Sequence, residues 1–562
     1  MEVSTMSKWL SLTCLAGLAL AQTGAPLLPT FRVGTRLVQL DVVVLNDKTP
    51  VRGLTKDDFT VQDKGKTQNI AIFGVSEAHN GPKADPLPPN VSSNRMNNRG
   101  ESTAGATVIL FDKMNTPSAD QVVGRRQTLA LLSTLKPTDH VAFYSLETDL
   151  TMVQDFTGGA DRLANAAKAL SASDSATAGS PEDQALLSAL RNSLTAFQQA
   201  VDGSTRVSST MAAFRTIARH MDGLPGRKNL IWLTASIPFT YGAGAERRKD
   251  DEAEFDRMEQ LMSEANVAVY AVDPRGAGAG NKLSSGGNKN SSGVAANETA
   301  GKSVGGAGKR GGGGSGDSGG SIIGSKTAST TDTSANEMAG TEGMQKISED
   351  TGGQAYYNTN DLAGALREIL DTTEISYTLG FYVDDKSLDN KNHDLSVKLA
   401  KKPETAKATL HYRKHYAALN PQTLAAQQPH PPIGVLAADA LDASGVGIIA
   451  ATAPNPDNPK IHLVQVKVDL ADLTLERKGD KWTGAFDLGL ALQGAGRQLA
   501  SDVNVKTINL SFTDDQLKQG LAAGLLIDNT VPTPAQPMRL RVVVQDKTSG
   551  AGGSVRIPID SK

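Results

Sequence analysis

The residues best placed to do chemistry lie in "VILFDKMNTP", Val108 to Pro117. Four apolar residues run into Asp112, and Asn115 and Thr116 follow before Pro117. This reads as a buried strand that ends on an acid and breaks into a turn, the position at which open α/β sheets hold ligands. One carboxylate with amide and hydroxyl oxygens nearby offers hard donors to Mg²⁺ or Ca²⁺. The same residues also fit a purely structural role. Thr116 before Pro117 makes a helix N-cap with proline at the first helical position. Asp112 is then an acceptor for N–H groups at that helix start.

Three other strings are chemically suggestive and carry less. "GDSGG" (Gly316 to Gly320) spells the surroundings of a serine nucleophile, but it sits in a glycine-rich tract, and no histidine occurs between His220 and His393. A Ser318 hydrolase is therefore disfavoured, because the serine needs a fixed general base. "AGKS" (Ala300 to Ser303) and "AGKR" (Ala307 to Arg310) lack the upstream glycine and the preceding buried strand of a phosphate loop. His411 and His415 in "HYRKHY" fall in a segment that reads as strand, too far apart there to share a metal.

The elements that must position Asp112 alternate strand and helix. Strands are expected at Thr107–Phe111, His140–Leu146, Met152–Val153, Lys228–Ser236 and Val267–Pro274. Helices are expected after Pro117, over Asp161–Leu170, Pro181–Phe197 and about Arg206–Met221, and in a charged stretch before Val267. "GQAYYN" reads as a short strand, and Asp361 caps a helix with Leu362, Leu366 and Ile369 inward. Such alternation implies a mostly parallel sheet covered on both faces.

Around this core the chain turns β-rich. Residues 31–75 form an N-terminal β segment, with a turn at Lys64–Lys66, expected to pair with 375–416 in one sandwich. Residues 76–105 and 417–432 read as linkers, and 106–374 as the α/β domain. Within that domain, 276–335 is a Gly/Ser-rich insertion expected to be disordered. Residues 433–562 carry short alternating strands, an all-β sandwich, with one helix in "DDQLKQGLAAG".

Bulk composition narrows the function. Of 562 residues, 39% are apolar and 21% charged, which fits a folded globular chain. A net charge of −3 and 4% aromatics argue against nucleic acid as a partner. Lys8, the apolar run Trp9–Leu20 and Ala19-Leu20-Ala21 form a signal peptide (1–21), so the protein is expected to be exported: periplasmic, outer-surface or extracellular. No other segment is long and apolar enough for a transmembrane anchor. Cys14, the one cysteine, lies inside that leader. After cleavage, disulfides and thiolate chemistry are excluded.

Taken together, "VRGLTKDDFTVQDKGKTQNIAIF", "VILFDKMNTPSADQ", "LPGRKNLIWLTASIPF", "VAVYAVDPRG", "ISEDTGGQAYYNTNDLAGALREILDTTEISYTLGFY" and "HYRKHY" resemble the von Willebrand factor type A (VWFA) domain. More narrowly they resemble the VWFA-related proteins of acidobacterial genomes. The resemblance covers about 31–416. It implies an α/β Rossmann-like VWFA domain, a central mostly parallel sheet with helices on both faces, alongside the flanking β-sandwich segments and the C-terminal all-β domain. It also implies extracytoplasmic binding, adhesion or ligand recognition, and no catalysis.

The family often carries a metal-ion-dependent adhesion site. Carried over position by position, the resemblance puts its acid at Asp112 and its second serine position at Thr116. The second-loop threonine falls at Thr210, with Thr205 as the other match. Met114 takes the first serine position and Ala235 the downstream aspartate, so two of the five positions lack an oxygen. The expectation is thus a degenerate site. Asp112, Asn115, Thr116, Thr210, Ser236 and Asp273 are its candidate ligand-binding residues, and Asp112, Thr116 and Thr210 are candidates for weak Mg²⁺ or Ca²⁺. No cofactor is required. The partner is an unknown protein or envelope component. A weakly metal-dependent adhesin and a structural envelope scaffold are the alternatives.

Overall fold

The computed structural model describes, with short breaks, residues 35–77, 87–95, 105–157, 205–238, 249–275, 330–420 and 430–561. The leader at 1–21, the expected helices at 161–170 and 181–197, and the strings around Ser303, Arg310 and Ser318 lie outside the described residues.

Strand Gly105–Asp112 is buried along its whole length, and its side chains divide by alternation. Ala106, Val108 and Leu110 join one apolar cluster, and Ile109 and Phe111 join another on the opposite face. The first face is covered by the helix at 205–221 through Met211, Phe214, Ile217 and Met221. Helix Lys249–Glu264 adds Phe255, Met258 and Met262, and helix Thr330–Thr351 adds Met344 and Ile347. Helix Leu362–Asp371 covers the other face with Leu362, Leu366 and Ile369. Its cap is the expected one: Gly364 N donates to Asp361 Oδ1 at 2.9 Å.

The α/β Rossmann-like class expected for the chain is corrected here. The described residues are predominantly β, in five sheets. Four are antiparallel at every pairing. The fifth, which carries Asp112, is mixed: Gly105–Asp112 pairs in parallel with Arg227–Leu233 and Val141–Leu146, whereas edge strand Leu150–Thr157 runs antiparallel. Only three residues join Leu146 to Leu150, too few for a parallel crossover, so a hairpin is forced. The β-rich flanks outweigh this one layer, and local alternation around Asp112 could not reveal that.

The first sandwich joins distant segments. Thr35–Asn46 pairs antiparallel with Ile375–Asp384, placing Leu40 opposite Leu379 and Val42 opposite Tyr377. Phe59–Asp63 pairs with Asn392–Leu399 in the facing sheet. Lys64 and Gly65, both at positive φ, close the hairpin to Lys66–Gln68.

Two further differences concern supposed connectors. Within 76–105, Val91–Ser93 is a strand that pairs with Ile448–Pro454 of the C-terminal sandwich. The Asn94 amide then donates to Ala443 O and Val446 O, and its Oδ1 accepts from Ile448 N. Helix Thr330–Thr351 begins inside the stretch read as disordered and runs through residues given no helix. Its Thr, Ser and Gly content hid it, and tertiary contacts through Met344 and Ile347 override weak propensity. "GQAYYN" contributes only a single bridge, Tyr356 to Val272. No helix among the described residues is long and apolar enough to cross a membrane.

Candidate functional site

Parallel register brings Asp112 beside Leu146 and Phe111 beside Leu233, so the acid and the "LTAS" loop emerge together at the carboxyl ends of adjacent strands. The loop after Asp112 is fastened at once. Lys113 N and Met114 N donate to Leu146 O at 2.9 and 3.1 Å. The Gln121 amide donates to Lys113 O and Thr116 O.

Asp112 is fully buried and surrounded by uncharged donors. Asn115 N donates to Oδ1 at 2.9 Å. Asn115 Nδ2 and Trp232 Nε1 donate to Oδ2 at 2.8 and 2.9 Å. Burial raises the carboxyl above its ordinary value, and these hydrogen bonds, which pull the other way, do not cancel it. The protein holds the acid as an internal acceptor for these donors.

The neighbouring oxygens are engaged in the same manner. Thr116 Oγ1 accepts from Ala235 N at 3.1 Å, so its hydroxyl ties two loops together; the N–H groups it would cap, at 118 and 119, lie outside the described residues. Thr210 Oγ1, on the helix at 205–221, accepts from Asn115 Nδ2 at 3.0 Å. Ser236 Oγ donates to Asn115 O at 2.9 Å, and Thr234 Oγ1 donates to Ser236 O. Asn115 Oδ1 is the exception, buried with no hydrogen-bond partner among the described residues.

The structure therefore brings Asp112, Asn115, Thr116, Thr210 and Ser236 into one network. Asp273 stands apart from it: its carboxylate accepts from Arg275 Nε and Nη2, at 3.0 and 2.8 Å, and from Arg275 N. It is a turn residue with its own cation. Of the network, Ser236 is exposed, while the other four are at most 3% exposed. Among the described residues no three His, Cys, Asp or Glu side chains cluster as a metal group would require. Among the described residues the Ser236 hydroxyl donates to a carbonyl, Asn115 O.

Sequence reasoning overlooked Trp232. It is fully buried, packs edge-on against Phe214 at 5.0 Å between centroids, and aims its one N–H at Asp112. A signal was present: a tryptophan inside an otherwise apolar strand must find an acceptor for that N–H.

No family model matches this chain, and no curated protein matches it. Among solved structures it is similar to the crystal structure of the TFIIH p34 N-terminal domain, at 12% identity and a TM-score of 0.16, over 30% of this chain and 80% of that one.

Proposed function

We propose that this chain is an exported, non-enzymatic interaction protein of the VWFA-related kind. It docks a protein or envelope component on the rim above Asp112, through Ser236 and the loop around Pro117. The observation that carries this reading is that the oxygens of Asp112, Thr116 and Thr210 are engaged within the fold, with Asn115 Oδ1 the one exception among them. Both Asp112 oxygens, Thr116 Oγ1 and Thr210 Oγ1 already accept hydrogen bonds from within the fold. A divalent cation would have to displace those donors and shed water as well, with only one carboxylate to offset the loss. The network then acts as a rigid base for a docking surface that recognises shape and hydrogen bonds.

Titration calorimetry with Mg²⁺, Ca²⁺ and Mn²⁺ tests the cation-free reading: no binding heat is expected from wild type or from Asp112→Asn. Heat that is lost in Asp112→Asn would establish the metal-dependent alternative. Docking is tested by crosslinking in the native envelope, where Ser236→Arg is expected to abolish a partner captured by wild type. Capture unchanged by that substitution would place the docking surface elsewhere.

A further inference from the structure

A ladder of charges crosses from the helices beneath the mixed sheet to the flanking sandwich. Glu259 lies on helix Lys249–Glu264, and Lys346 and Asp350 on helix Thr330–Thr351. His415 and Asp394 lie on sandwich strands His415–Ala417 and Asn392–Leu399. Lys346 Nζ donates to Glu259 and to Asp350 Oδ2. His415 is the rung between the two layers, with Nε2 3.3 Å from Asp350 Oδ1 and Nδ1 2.9 Å from Asp394 Oδ1. Beside it, Lys414 N donates to Asp350 O at 3.1 Å.

Both ring nitrogens of His415 thus face carboxylate oxygens. A neutral imidazole has one N–H and one lone pair, so it serves only one of the two; the imidazolium serves both. We propose that His415 is a protonation-controlled latch, clasping the helical layer to the sandwich when charged and releasing one side when neutral.

The other groups around the rung do not blur this. Lys414 extends over the Tyr412 ring, 3.7 Å from its centroid, rather than toward the imidazole. Arg413 reaches Ser263 O and Gln39 O, a permanent tie that keeps the layers together when the latch opens. Asp256 and Asp350 add negative charge around Glu259, and Lys346 opposes it.

The titrations point the same way. The hydrogen bond to Asp350 raises His415 above the ordinary histidine value, so its contribution is complete below about 6.5 and fades as pH climbs through the raised value. Burial pushes Glu259 up to about 7 from 4.5, so the unfolded chain releases this proton first and stability falls as pH rises through that interval. Asp350 is held below its ordinary 3.8, and its contribution is lost only on acidification beyond that. The latch is therefore closed in mild acid and opens as pH climbs through the raised His415 value.

The test uses the full chain and two readouts. Histidine NMR, with His415→Gln for assignment, is expected to place His415 above the ordinary histidine titration. Asp350→Asn and the exposed-side variant Asp394→Asn should each lower it. Hydrogen exchange at Lys414 N, corrected for intrinsic rate, is expected to speed up about tenfold between pH 5.5 and 8.5, an opening worth about one decade in equilibrium. In His415→Gln the exchange should be fast at both values. An ordinary or lowered His415 titration overturns the proposal, and so does Lys414 protection that ignores pH in wild type. Asp394→Asn removes only a surface carboxylate, which keeps the question answerable if Asp350→Asn fails to fold.

Discussion

Asp112 and Asp350 are two strand- and helix-end acids that meet burial in opposite ways. Asp112 is sealed from solvent among an amide, an indole and a backbone N–H, and burial wins, so its carboxyl is raised. At Asp350 burial also opposes the charge, but His415 and Lys346 donate to it and outweigh that cost, so its carboxyl is lowered. The lesson is physical: neutral donors do not offset the desolvation of a buried carboxylate, whereas ionic donors do. The first acid belongs to a rigid base, and the second to a joint.

The sharpest way to break this comparison is to remove the indole. Trp232→Ala empties the core beside Phe214 and should cost about 3–5 kcal/mol in urea unfolding. Trp232→Phe keeps most of the packing and removes one of the two donors to Asp112 Oδ2, which Asn115 Nδ2 still serves, so it should cost about 0.5–1.5 kcal/mol. Near-equal losses would mean that the hydrogen bond, not the ring, dominates. Asp112→Ala should fall in the upper part of a range of about 1–3 kcal/mol, because it strands three buried donors at once.

On the other side of the comparison, stability measured from pH 4.5 to 8 should decline more steeply in wild type than in Glu259→Gln. Each unit by which Glu259 is raised is worth about 1.4 kcal/mol. Asp112→Asn should itself flatten the decline, because burial also raises that carboxyl, and should leave the increment from Glu259→Gln unchanged if the two acids are independent. A smaller effect is expected from Thr116→Val, which deprives Ala235 N of its acceptor at a cost of about 1 kcal/mol by chemical denaturation. Smallest of all is Glu147→Gln at the rim. It breaks the ion pair with Lys113 at 2.8 Å, where Glu147 is 60% exposed, and should shift stability by only about 0.2–1 kcal/mol.

Much of this was legible along the chain wherever the cause is local. The run Val108–Phe111 ending in Asp112 is a buried strand, Lys64-Gly65 turns a hairpin, and Asp361 caps its helix through Gly364 N. Asn115, Thr116 and Asp112 were identifiable as a cluster because four residues bring them together. What local reading does not show is that the Thr116 hydroxyl also meets Ala235 N, from a loop more than a hundred residues on. Asp273 was grouped with Asp112 from strand-end position alone, and Arg275, two residues on, claims it first.

Failures came from long-range partners. Helix Thr330–Thr351 lacks the propensity to declare itself and forms against the sheet through Met344 and Ile347. Val91–Ser93 looks like connector because its pairing partner lies in the C-terminal sandwich. The class of the whole chain is a matter of weight: the flanks do read as β along the chain, but only the assembled structure shows four antiparallel sheets outweighing the one mixed sheet around Asp112.

What the sequence by itself determined is the set of local commitments: which residues prefer strand, turn or cap, and that Met114 and Ala235, flanking the Asp112 loop, have no side-chain oxygen to offer. What only the tertiary structure decided is the company each acid keeps. An N–H from Trp232 and an imidazole from His415 reach their carboxylates across the fold, and pKa and rigidity follow from those neighbours because electrostatic and hydrogen-bond energies depend on distance in space, not on separation along the chain.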